Sequence, residues 1–195
     1  VVRPTDVNEL VRENLPLLEV ALPKSVRLET RLEENLPAID ADEGQIQQVL
    51  MNLVINGAEA IGERGGTVTV ATGTQAVAAS DERLWRASGQ PLVPGRYVLL
   101  EVRDDGPGMV AETVDRIFEP FFTTKFTGRG LGLAAVLGVV RGHQGALSVE
   151  SSPGRGTVFR ILFAPGAQAS GLAGAAAATP VKRGLTLLLI DDEEV

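Results

Sequence analysis

Cysteine is absent from this chain, which excludes disulfide staples and thiolate metal sites without identifying a compartment. No apolar run reaches the roughly 18 residues that would span a bilayer, and no charged-then-apolar signal pattern opens the chain. Basic residues are outnumbered 18 to 25, for a formal charge of −7. With no cationic excess and no tract of clustered Lys or Arg, phosphate neutralisation on a nucleic acid is disfavoured. The chain starts at Val1 rather than Met and reads as a piece of a larger cytoplasmic protein that makes no membrane contact itself. What is present is a 44% hydrophobic sequence of 195 residues, enough for one well-buried domain of ~100–200 residues plus appendages.

The pattern along the chain predicts alternating helices and strands. Pro4 to Leu22 has helical spacing at Val7, Leu10, Val11, Leu15 and Leu18, with Thr5 or Asp6 as cap and a kink at Pro16. Ser25 to Leu32 alternates like a strand with one wet face, and Asn35-Leu36-Pro37 reads as a turn. The strongest helix runs from Asp42 to about Ile61, with Ile46, Val49, Leu50, Leu53, Gly57 and Ala60 on one face. Strands follow at Thr67 to Thr72 and Arg96 to Arg103, separated by a loop or hairpin excursion over Gln75 to Gly95. A helix from about Gly130 to Arg141 and a hairpin of Ala146 to Glu150 with Gly156 to Phe163, turning at Pro153-Gly154, complete the fold. Irregular alternation with hairpins points to an α+β two-layer sandwich, a mixed, mostly antiparallel sheet covered on one face by helices. Residues 166–184 are rich in Ala and Gly and read as a linker, and 185–195 as the severed start of a second domain.

Three segments carry candidate chemistry. On the long helix, Asn52, Asn56 and Glu59 recur at i, i+4 and i+7, the first two about 40° and the last two about 60° apart around the axis. A solvated face is the usual meaning of such a stripe. Asparagine is nevertheless a poor helix-interior residue, and its amide oxygen is a hard ligand that suits Mg²⁺ in company with phosphate oxygens and water. The turn Asp104-Asp105-Gly106-Pro107-Gly108 follows an apolar strand, so a carboxylate can project from the strand end into a cleft. A carboxylate only accepts hydrogen bonds; facing a purine it would welcome the amine of adenine and repel the carbonyl of guanine. Gly128-Arg129-Gly130-Leu131-Gly132 leads into a helix whose first amides can meet phosphate oxygens. The glycine spacing is not the dinucleotide fingerprint, and none of the three lysines completes a P-loop. Between the two glycine turns, three of the six phenylalanines, Phe118, Phe121 and Phe122, cluster with Thr123, Thr124 and Lys125. They read either as anchors of a lid or docking surface or as a satellite of the core.

Taken in order, these segments resemble the N, G1, F, G2 and G3 boxes of histidine-kinase ATP-binding domains, of the Bergerat-type superfamily shared with type II topoisomerases, heat-shock chaperone ATPases and mismatch-repair ATPases. Asn52 and Asn56 match the N box; Asp104, Gly106 and Gly108 match G1; Phe118, Phe121 and Phe122 match the F box. Gly128, Gly130 and Gly132 match G2, and Gly154, Gly156 and Thr157 match G3. The resemblance covers residues 1–165, and the segment around Phe-Glu-Pro-Phe-Phe-Thr-Thr-Lys looks like the nitrogen-regulation and oxygen-sensing branch. It implies that Asn56 binds Mg²⁺ bridging the phosphates of ATP, with Asn52 beside it. It further implies that Asp104 holds the adenine amine with Thr157 in support through water, and that Met109, Ala60 and Ile117 wall the base. Amides of Gly130, Leu131 and Gly132 would meet the phosphates, with Lys125 and Arg129 as cationic helpers. Arg129 departs from the small hydroxyl residue that many relatives carry there.

The resemblance also implies transfer of the γ-phosphate to a histidine on a separate dimerisation domain. This chain would then bind Mg-ATP without phosphorylating itself, and its own His143, in a helix-ending turn, is expected to be structural. The stretch Thr186 to Glu193 resembles the first strand and acidic pair, Asp191 and Asp192, of a response-regulator receiver domain. Two other classes are an ATP-hydrolysing clamp of the topoisomerase or chaperone type and a degenerate pocket that serves only for docking.

Overall fold

A computed structural model describes residues 1–78, 92–123 and 130–166. The expected linker and receiver-like tail lie outside the described residues, as does most of the excursion before the third expected strand. Five strands form one sheet: β2 (Val26–Leu32), β4 (Gly66–Val77), β5 (Gly95–Asp104), β6 (Ala146–Ser151) and β7 (Thr157–Phe163). Their order is β2-β4-β5-β7-β6, parallel between β2 and β4 and antiparallel elsewhere. Helices α1 (Val7–Ala21), α2 (Glu43–Ile61) and α4 (Gly132–Gly142) share the main core with the sheet, a smaller cluster of Val77, Leu92, Ala146 and Leu162 lies apart from it, and a short α3 (Ala111–Arg116) precedes the aromatic segment. The expected two-layer α+β sandwich is what forms.

Strand alternation decides which side chains meet the helices. Val68 and Val70 of β4, Val98, Leu100 and Val102 of β5, Leu147 of β6 and Phe159, Ile161 and Phe163 of β7 all enter the core. The other face carries Arg160, which is paired directly across from Glu101 and bonds it at 2.8 Å while also reaching Glu150. Burial disfavours the Arg160 charge, but its bonds to Glu150 and Glu101 outweigh that and raise its pKa.

Several boundaries differ from the sequence expectation. Arg3–Thr5 forms a strand, β1, with Ile39–Ala41, β3, so the first helix starts at Val7 instead of Pro4. Three-residue strands carry too little alternation to be read beforehand. Asp6, and not Thr5, caps α1, accepting the Asn8 and Glu9 amides at 2.8 and 3.1 Å. The α1 helix continues through Pro16. The β4 strand runs five residues past Thr72 because it pairs in unbroken register with β5 through Val77 and Gly95. On α2, the buried face is completed by Val54, Ala58 and Ile61, whereas Ala60 is exposed. The α4 helix starts at Gly132, two residues late, because Gly130 sits at φ +64°, outside the helical region.

Helices α2 and α4 are tied end to end by the chain's only histidine. Asp42, which caps α2 by accepting the Gln45 amide, donates its own amide to His143 Nε2 at 3.0 Å. His143 follows α4, and its Nδ1 lies 2.8 Å from the Val139 carbonyl oxygen. An amide can only donate and a carbonyl only accept, so this network assigns a neutral imidazole protonated on Nδ1. The ring also packs edge-on against Phe163. The expected structural role is therefore what the geometry provides. Replacing His143 with Ala leaves a partly buried amide without its acceptor and should cost about 1–3 kcal/mol. Chemical denaturation of the variant checks this through a lowered midpoint with an unchanged slope.

Candidate nucleotide site

The site is built from one row of the sheet. Asp104, at the end of β5, stands opposite Thr157 of β7, which stands opposite Ser151 of β6. By strand alternation Asp104 is in phase with Val98, Leu100 and Val102, so the acid occupies a position that the strand otherwise gives to core residues. It is only 6% exposed, and Thr157 only 5%. Its Oδ1 accepts the Gly106 amide at 2.9 Å. Asp105, the other half of the acidic pair, points elsewhere and fixes the turn by accepting the Thr67 amide.

Helix α2 crosses above this row at Gly57. A Cβ there would lie 3.2 Å from the Asp104 Cβ and 3.4 Å from Val68; the missing side chain lets helix and sheet approach. Around that crossing, Asn52, Asn56 and Ala60 face a cavity of about 510 Å³, within the ~300–1,000 Å³ range of small-molecule sites. Pro107, Gly108 and Met109 of the glycine turn and Thr113 and Ile117 around α3 bound it on one side. Gly130, Leu131 and Gly132 bound it on another, and a Cβ on Gly132 would sit 3.6 Å from Asn52 Oδ1 and 3.7 Å from Asn56 Nδ2. The N-cap position of α4 is Leu131, which has no side-chain oxygen to give the first amides of the helix.

The turns hold one another by main-chain contact. Gly154 donates to the Pro107 carbonyl at 2.7 Å, Phe121 to Gly130 at 2.9 Å, and Met109 to the Ser151 hydroxyl at 2.9 Å. Gly108 has φ +68° and Gly156 φ +74°, and a Cβ on either would fall 2.0 Å from a carbonyl oxygen, of Ser152 and Asp104 respectively.

Of the residues singled out from sequence, Asn52, Asn56, Ala60, Asp104, Gly108, Met109, Ile117, Phe122, Gly130, Leu131, Gly132 and Thr157 line this one cavity. Gly106 does not line it; it is buried behind Asp104, where a Cβ would meet Ala60. Phe118 and Phe122 pack against the core, Arg116 lies over the Phe122 ring at 4.4 Å, and Phe121 is 75% exposed with φ +68°. The aromatic segment is thus divided between the two alternatives, two rings packed and one presented. Lys125, Gly128 and Arg129 lie outside the described residues. Sequence reading missed Ile55, Thr113, Leu133 and Phe159 as lining residues. Only Phe159 carried a signal, since alternation places it on the same face as Thr157.

The charged side chains among the described lining residues are Glu59 and Asp104, both acidic. No group of three or more His, Asp or Glu among the described residues could hold a metal without help.

Residues 41–167 match the family model described as histidine kinase-, DNA gyrase B-, and HSP90-like ATPase. The chain is 38% identical over 159 residues to the sensor histidine kinase ZraS of Klebsiella oxytoca, a match covering 81% of this chain but 30% of that protein. Among solved structures it resembles the nucleotide-free catalytic domain of the histidine kinase ThkA, with a TM-score of 0.66 and 27% identity over 85% of this chain and 97% of that one. It also resembles full-length ShkA solved in complex with AMPPNP, at TM-score 0.65 and 28% identity, covering 84% of this chain and 31% of ShkA.

Two glycine substitutions separate scaffold from surface. Gly156→Ala forces a methyl into the Asp104 carbonyl at a positive φ, and should destabilise the fold by at least about 2 kcal/mol. Gly132→Ala meets only ordinary van der Waals contacts and should change stability by less than about 1 kcal/mol. Thermal unfolding of the pair checks the contrast.

Proposed function

Because the chain belongs to the family of histidine kinase-, DNA gyrase B- and HSP90-like ATPases, we propose that it is the catalytic domain of a sensor histidine kinase that holds Mg-ATP in the 510 Å³ cavity. The γ-phosphate goes to a histidine on a separate dimerisation domain, and a receiver domain is the next acceptor. The chain spans 30% of the curated ZraS kinase, so the whole enzyme's partners and its cytoplasmic setting belong to this reading too. Among the described residues no helix is long and apolar enough to cross a membrane.

The observation that carries the reading is convergence: amides from α2, an acid at the tip of β5 and the glycine-flanked start of α4 surround one space. In it, Asp104 accepts from the exocyclic amine of adenine and Thr157 supports it, while Met109, Ala60 and Ile117 wall the ring. Asn56 offers an amide oxygen to Mg²⁺ with Asn52 beside it. The main chain of Gly130 to Gly132 meets the phosphates, where the start of α4 favours negative charge. Lys125 and Arg129 add cationic help, and Gly128 belongs to the same nucleotide-binding set. Phe121, exposed beside the cavity, with Phe118 and Phe122 as its anchors, supplies the lid or the docking face. Mg²⁺, when bound, neutralises phosphate oxygens and orients the transferred group.

The phosphate acceptor is not His143. It is the only histidine in the chain, and both of its ring nitrogens are held in hydrogen bonds. The clamp reading, in which water receives the phosphate, is not favoured by the kinase relatives, and an amide at Asn52 or Asn56 has no basicity with which to activate water.

Calorimetric titration should show Mg-ATP binding to this chain, and Asn56→Ala should weaken it at least about tenfold with Mg²⁺ present but little in its absence. Equal weakening under both conditions would remove Asn56 from metal binding. Labelled ATP should leave no phosphohistidine on the isolated chain, and label at His143 would sink the transfer model.

A further inference from the structure

One hydroxyl outside the cavity ties together two of the loops that form it. Ser151 Oγ lies 2.9 Å from the Met109 amide nitrogen, 3.0 Å from the Gly156 carbonyl oxygen and 3.0 Å from Thr157 Oγ1. A serine hydroxyl has one proton to donate and two lone pairs to accept with. The Met109 amide can only donate, so it takes one lone pair. The Gly156 carbonyl can only accept, so it takes the proton. The third contact can then be made in one sense only, with Thr157 donating its proton to Ser151.

The polarity of one cavity wall is thereby fixed. Thr157 lines the cavity and Ser151 does not. With its proton committed to Ser151, Thr157 presents lone pairs to whatever lies against it. Asp104, its register partner, presents a carboxylate. A purine in this cavity therefore meets acceptors from both strands at once.

We propose that Ser151 is a positioning residue that sets the base preference of the cavity, by taking the Thr157 proton so that Asp104 and Thr157 together accept from a 6-amino purine and reject a 6-carbonyl one. This rests on the nucleotide reading above. Without the Ser151 hydroxyl, Thr157 regains a proton that can turn toward a carbonyl, directly or through a water, and the wall loses its single polarity.

The test compares ATP with inosine triphosphate, which carries a carbonyl for the amine at that position and, with it, a proton on N1, by calorimetry with Mg²⁺ on the whole chain. Wild type should prefer ATP. Ser151→Ala should narrow that preference about five- to tenfold, through weaker ATP and stronger inosine nucleotide binding, and Ser151→Thr, which keeps the hydroxyl, should restore it. In a Thr157→Val background, which removes the hydroxyl through which Ser151 acts, Ser151→Ala should leave the ratio unchanged. If Ser151→Ala weakens both nucleotides by the same factor, Ser151 is a structural clasp only and the proposal fails while the nucleotide reading stands. If wild type binds neither nucleotide, the nucleotide reading itself fails and the proposal with it.

Discussion

A carboxylate in an apolar row is the constraint around which the site is arranged. Asp104 occupies the position at the end of β5 that alternation assigns to the core, with Val68 on one side and Thr157 on the other. Enclosing an unsatisfied carboxylate costs several kcal/mol, so its neighbours must supply donors and stay close. They do so by having no side chains. Gly57 of α2, Gly106 of the turn and Gly156 of the hairpin each bring backbone against it, and a Cβ at these positions would come within 3.2, 2.6 and 2.0 Å of its Cβ, Oδ1 and carbonyl oxygen. The Gly106 amide then reaches Oδ1. The glycine turn, the hairpin turn and the height of the helix over the sheet are consequences of housing this one acid.

Helix α2 serves core and site from different flanks. Ile46, Val49, Leu50, Leu53, Val54, Ala58 and Ile61 are buried, and full burial of a large apolar side chain contributes about 1.5–3 kcal/mol. Two mid-helix asparagines cost at most about 0.7 kcal/mol each in propensity, so the apolar flank easily outweighs them. Their tolerated presence is what lets Asn52 and Asn56 serve the cavity. The ends of the helix are set by chemistry of their own: Asp42 caps the start while its amide meets His143, and the chain leaves α2 through Gly62 at φ +61°.

The sequence made the long periodic elements legible, because a buried face of period 3.6 or 2 repeats often enough in α2 and β5 to be unmistakable. The motif residues were legible for a different reason. Asn within an apolar helix, Asp in phase with strand valines and glycines flanking a helix start each contradict local preference, and such conflicts mark sites. Hidden were β1 and β3, whose pairing is long-range over only three residues each, and α3, too short for a periodic face. Ser151 was hidden as well. Nothing local distinguishes it from any serine near a hairpin turn; only the register Ser151–Thr157–Asp104 reveals its position.

The charge pattern of the lining bears on how such a cavity would be loaded. The charged side chains of the described lining are Glu59 and Asp104, and among the described residues no group of three or more His, Asp or Glu could hold a metal ion. On the proposed reading, then, neither partner is held well alone. An ion that takes few protein ligands completes its shell with phosphate oxygens, and the phosphates gain the ion's charge. Each supplies what the other needs, so ion and nucleotide enter as one species, and the asparagines act on that species rather than on either part alone. This dependence explains why an amide is useful where a carboxylate would grip metal harder: a site that kept its ion after the phosphate had gone would hold the product as well.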